Sequence, residues 1–222
     1  MLSKVYSAAI QGIDAYVVTI EVVVERGVQF TIVGLPDAAV KESYQRIVSA
    51  MKQSGVTFPH KRTIINLSPA DIKKEGAAYD LPMAVGILAA NEALQCTNLN
   101  EYMILGELSL DGSVLPIRGA LPVAIKARQD GFKRLIVPKA NVTEAAVVNN
   151  IEVFGVDSLA EVVDFLNGNS DLQPTIINTR EQFRLHAANF DFDFSEVKGQ
   201  DTVKRAFEVA CAGGHNILLV GS

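Results

Sequence analysis

The residues closest to a recognisable chemistry stand at the C-terminus, where His215-Asn216-Ile217-Leu218-Leu219-Val220 runs into Gly221-Ser222. A buried strand followed by a glycine-led turn is how a phosphate loop opens. Backbone N–H groups curl around phosphate, a lysine reaches the outer phosphates, and a Ser/Thr hydroxyl holds Mg²⁺. Gly221 fits the first glycine of G-x-x-x-x-G-K-[ST] and Ser222 the position after it, but the later positions are absent from the 222 residues. The reading is a nucleotide-driven protein cut inside its phosphate loop, so this chain is expected not to hydrolyse ATP. Taken alone, the tail fits equally well an edge strand that ends in Gly-Ser.

Phosphate chemistry of another kind is suggested by small basic groups: His60-Lys61-Arg62, Lys73-Lys74, Lys126 with Arg128, and Lys133-Arg134 with Lys139. Contacts to a nucleic-acid backbone need such local clusters whatever the total charge. The net charge of −5 gives no global attraction to nucleic acid. Lys61, Arg62, Lys73 and Lys74 bracket one expected strand and the loop after it, and on that basis they are expected to share a face; that this face contacts DNA is what the family likeness given below implies. Ser68, Asp71 and the two lysines do not place a base beside a hydroxyl at catalytic spacing. Cys96 and Cys211 are far apart and read as small hydrophobes, and His60, His186 and His215 are scattered, so no metal site is expected.

The elements that must position these residues alternate between strand and helix, which predicts a layered α/β or α+β fold. Ala15–Val24 and Gln29–Val33 read as a hairpin turning at Glu25-Arg26-Gly27. Asp37 caps a helix with Val40, Tyr44, Ile47, Val48 and Met51 at helical spacing. Then come a strand at Thr63–Leu67, a helix at Asp80–Ala93 with Tyr79-Asp80 as its cap, and a strand at Tyr102–Leu110. A helix at Gly119–Gln129, a strand at Arg134–Val137, a helix at Val142–Val148 and a strand at Val153–Val156 follow. Ser158 and Glu161 form a capping box for a last helix. Composition shifts at Gly168–Asp193, an expected linker. A helix at Asp201–Ala212, Gly213-Gly214 and the final strand complete the opening of an ATPase module. The longest apolar runs fall short of the ~18 residues of a membrane span, and Met1–Tyr6 lacks a signal-peptide core, so a cytoplasmic protein is expected.

Several longer motifs carry a family likeness. Phe30-Thr31-Ile32-Val33-Gly34-Leu35-Pro36, Ala39-Val40-Lys41-Glu42-Ser43, Asn66-Leu67-Ser68-Pro69-Ala70-Asp71, Lys74-Glu75-Gly76, Tyr79-Asp80-Leu81-Pro82 and Leu105-Gly106-Glu107-Leu108 resemble the ComM/YifB proteins, the Mg-chelatase-like AAA+ ATPases. The resemblance implies a Lon-protease-like domain of the ribosomal S5 type at 1–167. A linker at 168–193 would follow, then the first helix and strand of an AAA+ core at 194–222. It also implies a hexameric ring that uses ATP and Mg²⁺ when complete, with branch migration of DNA during natural transformation as its activity. The rival reading is a protein-remodelling ATPase of the Mg-chelatase kind, with this domain serving only assembly. By the same resemblance Val197, Gly199 and Gln200 lie where AAA+ proteins hold adenine, and Gly221 and Ser222 begin the phosphate loop. No cofactor is expected on these 222 residues alone.

Lon enzymes use a Ser–Lys pair, which works only when the two groups are held within hydrogen-bond reach in a partly dry site. The stretch that resembles the Lon serine motif is Lys74-Glu75-Gly76-Ala77-Ala78-Tyr79-Asp80, which puts Ala78 at the nucleophile. The turn Pro116-Ile117-Arg118-Gly119 puts the lysine position on Val123. The resemblance therefore implies a domain without peptidase activity. Arg118 interrupts the turn and is expected either to fill the former cleft or to pair with Glu107.

Overall fold

Gly12 and Ile13 close a hairpin between β1 (Leu2–Gln11) and β2 (Asp14–Glu25), whose ladder runs unbroken from Leu2↔Val23 to Gln11↔Asp14. Gly12, at φ +64°, supplies the left-handed residue that such a two-residue turn needs. This hairpin is the centre of the computed structural model, which describes residues 1–177 and 193–221. The chain forms two units, Met1–Ile177 and Asn178–Ser222.

In the first unit a mixed seven-stranded sheet runs β3-β4-β2-β1-β5-β8-β9. The hairpin expected between Ala15–Val24 and Gln29–Val33 does not form. β4 (Arg62–Ser68) separates the two, antiparallel to β2 and parallel to β3 (Phe30–Val33). The cause is the 16-residue helix α1 (Ala38–Gln53) after β3, which carries the chain back for a parallel pairing that no tight turn could make. On the other side β5 (Tyr102–Ile104), β8 (Arg134–Pro138) and β9 (Glu152–Val156) are all parallel. Their side chains alternate between two cores, as the two-residue period requires. Ile104, Ile136, Phe154 and Val156 join α1, α2 (Asp80–Ala90) and α5 (Leu159–Leu166) in one cluster. Met103, Leu135, Val137 and Val153 join α3 (Ala120–Gln129) and α4 (Val142–Ala145) in the other. The architecture is α/β, as the alternation of elements predicts.

The strand expected over Tyr102–Leu110 is broken. After Ile104 the chain leaves the sheet, and β6 (Glu107–Leu108) pairs with β7 (Val114–Leu115) in a separate two-stranded ribbon. The break falls at Gly106, where a Cβ would stand 2.8 Å from Val114 and 3.0 Å from Leu81, too close for any side chain. Helix α2 stops at Ala90 rather than Ala93, because Glu92 turns left-handed at φ +61°. Ser158 accepts from the Glu161 N–H at 3.2 Å, and the Glu161 carboxylate accepts from the Asp157 N–H at 2.7 Å.

In the second unit α6 (Asp201–Gly213) ends at Gly214 in a left-handed cap, and Phe194 and Phe207 pack with ring centroids 6.0 Å apart. The strand expected over His215–Val220 is irregular, with Leu218 86% and Val220 90% exposed. A strand is defined by its ladder, and no partner strand for it exists among the described residues. Most of the expected linker, at 178–192, and Ser222 lie outside the described residues. No helix among the described residues is long and apolar enough to cross a membrane.

Candidate functional site

Asp37 organises the loop that bears Ala78. One of its carboxylate oxygens caps α1 by accepting from the Val40 N–H at 2.8 Å, and the other accepts from the Gly76 N–H at 3.0 Å. Backbone bonds from Lys74 N–H to the Leu35 carbonyl and from Asp37 N–H to the Lys74 carbonyl fasten the same loop. Further on, the Ala78 carbonyl accepts from Gly106 and the Gly106 carbonyl accepts from Leu81. These contacts hold Ala78 on the wall of a cleft of about 490 Å³, with Ile10, Tyr79, Glu107, Ile117 and Arg118 around it.

Among the described residues no serine, threonine or cysteine lines this cleft. Its one hydroxyl, on Tyr79, is buried and held protonated by desolvation, with Asp37 and Glu75 adding to the effect. Val123 is fully buried in α3 and packs in the core rather than into the cleft. Lys73 does line the cleft, yet its ammonium sits 2.5 Å from Glu75, which raises its pKa and keeps it charged. Arg118 and Glu107 both line the cleft, and no salt bridge among the described residues joins them.

Beneath the cleft lies a contact that sequence reading missed. Asp80 was expected to help cap α2, but its side chain is fully buried and makes no cap bond. It takes Arg46 of α1 instead, Nε to Oδ2 at 2.5 Å and Nη2 to Oδ1 at 3.0 Å, and the Leu108 N–H at 3.3 Å. Desolvation pushes its pKa up to about 6, and Arg46 is the main opposing influence. A basic residue in mid-helix and an acid at the next helix start are each ordinary, so spacing alone offered no signal.

The basic residues expected to share a face do not. Lys61 and Arg62 stand at one end of β4 and Lys73 and Lys74 beyond the other, roughly 20 Å along the strand direction. Arg62 is bound to Glu25 at 3.0 Å and Lys73 to Glu75. Lys74 is not on the surface at all. Its side chain is fully buried, its ammonium donates to the Pro69 carbonyl, and desolvation holds its pKa below the usual lysine range. It is not placed to meet a phosphate, while Lys61 lines an open groove and Lys73 the Ala78 cleft. In the second unit Val197 is exposed and its carbonyl accepts from Lys204 Nζ at 2.5 Å, while Gly199 and Gln200 are left-handed and lead into α6. No cluster of metal-ligating side chains occurs among the described residues.

The family described as "Subunit ChlI of Mg-chelatase" matches residues 20–141, and "Magnesium chelatase, subunit ChlI" matches residues 193–222. Competence protein ComM of Haemophilus influenzae is 39% identical over 99% of this chain and 43% of its own length. The uncharacterized protein YifB of Escherichia coli is 40% identical over 99% of this chain and 42% of its own length. Lon protease 2 of Bacillus subtilis is 30% identical over 56% of this chain and 22% of its own length. The chain thus spans less than half the length of the two relatives that match it nearly throughout. With one family description over its sheet domain and a second over its last residues, the chain belongs to the Mg-chelatase ChlI family, in the ComM/YifB group.

Proposed function

We propose that the chain is the N-terminal part of a ComM/YifB-type AAA+ ATPase that drives branch migration of DNA, acting in the recombination of transforming DNA. The observation that carries this reading is the similarity to competence protein ComM across 99% of the chain. In this proposal residues 1–167 form a Lon-like domain, 168–193 a linker and 194–222 the start of the ATPase core. The complete protein works as a cytoplasmic hexameric ring. The cleft at Ala78, lacking a hydroxyl or thiol nucleophile apart from the protonated Tyr79, supports a domain without peptidase activity.

ATP and Mg²⁺ belong to the complete protein. The described residues supply only the adenine-side segment at Val197, Gly199 and Gln200, plus Gly221 at the head of the phosphate loop. The lysine and hydroxyl that hold phosphate and Mg²⁺ in that motif fall at later positions. The Mg-chelatase description of the matched family favours a second reading, a protein-remodelling ATPase in which residues 1–167 serve assembly. The ATPase rate of the complete protein, measured alone, with linear DNA and with a four-way junction, separates them. Strong stimulation by the junction is expected; a rate indifferent to every DNA would overturn the DNA reading and leave the second.

A further inference from the structure

Away from the Ala78 cleft, α1 and the loop before β4 enclose two adjoining hollows of about 530 and 380 Å³, which share Val48, Phe58 and His60. Along α1 the residues Lys41, Tyr44, Val48 and Lys52 are spaced three, four and four apart, so they form one stripe down the helix, facing the groove. Phe30, Tyr44 and Phe58 form its apolar wall, with ring centroids 4.7, 5.7 and 6.3 Å apart. Lys41, Lys52 and Lys61 supply its charge, with His60 beside them, all four exposed, and among the described residues no acidic side chain lines either hollow. In a chain of net charge −5, a groove with three lysines and no acid among the described residues is a local reversal of sign. At one rim Val28 is 94% exposed, an apolar side chain left without cover.

We infer that this groove binds single-stranded nucleic acid, with an unpaired base against the Tyr44–Phe58 wall and the flanking phosphates on Lys41, Lys52 and Lys61. Aromatic faces beside a basic track are how proteins hold single strands without reading sequence, because every base has a stacking face. A duplex hides its bases, and its phosphates would meet the lysines without engaging the recessed rings. The inference deepens the DNA reading above and rests on it, by naming an unpaired strand as what this domain touches.

The test uses the 222-residue chain and a short oligothymidylate carrying one 5-iododeoxyuridine. Photo-cross-linking is expected on Tyr44 or Phe58, located by peptide mass. The double variant Lys41→Gln/Lys52→Gln changes only exposed side chains. It is expected to lower the slope of log affinity against log salt by up to about 1.4, at roughly 0.7 per lost single-strand phosphate contact. Tyr44→Leu is expected to weaken binding about tenfold at fixed salt. Cross-links confined to other segments, an unchanged salt slope, a preference for duplex over single strand, or no binding at low salt would each overturn the inference. Cross-links to a protein partner on these same rings, with oligonucleotide excluded, would do so as well. The DNA-motor reading survives all of these if the complete ATPase still responds to a junction. It fails separately if that response is missing while the groove still takes single strands.

Discussion

Replacing Arg46 by methionine tests whether the Ala78 loop and the first two helices are held together by a buried ion pair. Asp80 has no solvent exposure at its side chain and Arg46 is 20% exposed. Without the guanidinium, Asp80 keeps only the Leu108 N–H at 3.3 Å, and a buried carboxylate is left nearly alone. Removing one member of such a pair costs about 3–5 kcal/mol, whereas replacing both by apolar residues of similar volume is often neutral. The loss at pH 7 would lower the urea midpoint by about 1–2.5 M, given a slope of about 2–3 kcal/mol per molar for a domain of this size. Because the chain contains no tryptophan, the assay is far-UV circular dichroism.

The sign of the pH dependence follows from the direction of the Asp80 shift. Its pKa rises from 3.8 to about 6 on folding, so between about pH 4 and 6 the folded state binds more protons than the unfolded state. Stability from this group is therefore greatest at low pH and declines as pH rises through that window. Between pH 7 and 5 the parent protein regains about one unit of linkage, ~1.4 kcal/mol. In Arg46→Met the chief influence lowering the Asp80 pKa is gone, so the carboxyl takes its proton at a higher pH than in the parent and regains more stability over the same range. The deficit of the variant should therefore shrink on acidification. A loss below about 1 kcal/mol at pH 7, or a deficit that widens at pH 5, would refute the buried-pair argument.

Three further outcomes are expected. Gly34→Ala places a Cβ 2.1 Å from the Leu67 carbonyl oxygen at φ +100°, so thermal unfolding should show a loss of roughly 3 kcal/mol or more. Ala78→Ser should leave the protein inert to fluorophosphonate probes, since Lys73 is held charged by Glu75 and Val123 is buried; labelling at residue 78 would show that a base has been overlooked. Ser158→Ala should cost about 1 kcal/mol in a urea titration, because the Glu161 N–H loses its cap.

Much of the fold was legible because its elements carry their own signals. The β-branched run at Ala15–Val24, the capped helix after Asp37 and the Ser158–Glu161 box were assigned from local chemistry and found in place. The first strand was missed because Leu2–Gln11 has few β-branched residues and buries small ones, Ser7, Ala8 and Ala9. Its identity comes from β2 on one side and β5 on the other. The false hairpin had the same origin: the residues between β2 and β3 look like a turn, and only β4, thirty residues later, decides which strands meet.

Residue type is legible in the sequence where charge is not. The family likeness assigns Ala78 and Val123 to the Lon serine and lysine positions, because the type at one position is read directly from the chain. Charge is different. Lys73 and Lys74 are neighbours of identical type, yet one reaches Glu75 in solvent while the other is sealed against the Pro69 carbonyl. Successive residues in an extended loop point to opposite sides, so a basic dipeptide offers at most one cation to a shared surface. The stripe Lys41, Tyr44, Val48, Lys52 shows the converse: residues scattered in the linear chain become one surface through helical spacing. Its apolar members were expected in the core, and Tyr44 and Val48 instead line the groove because β3 and the loop before β4 leave that side of α1 partly uncovered. A periodic apolar position therefore identifies which face of a helix is covered only after the neighbouring elements are placed, and an aromatic on the margin of that face is where a binding surface can hide inside a core pattern.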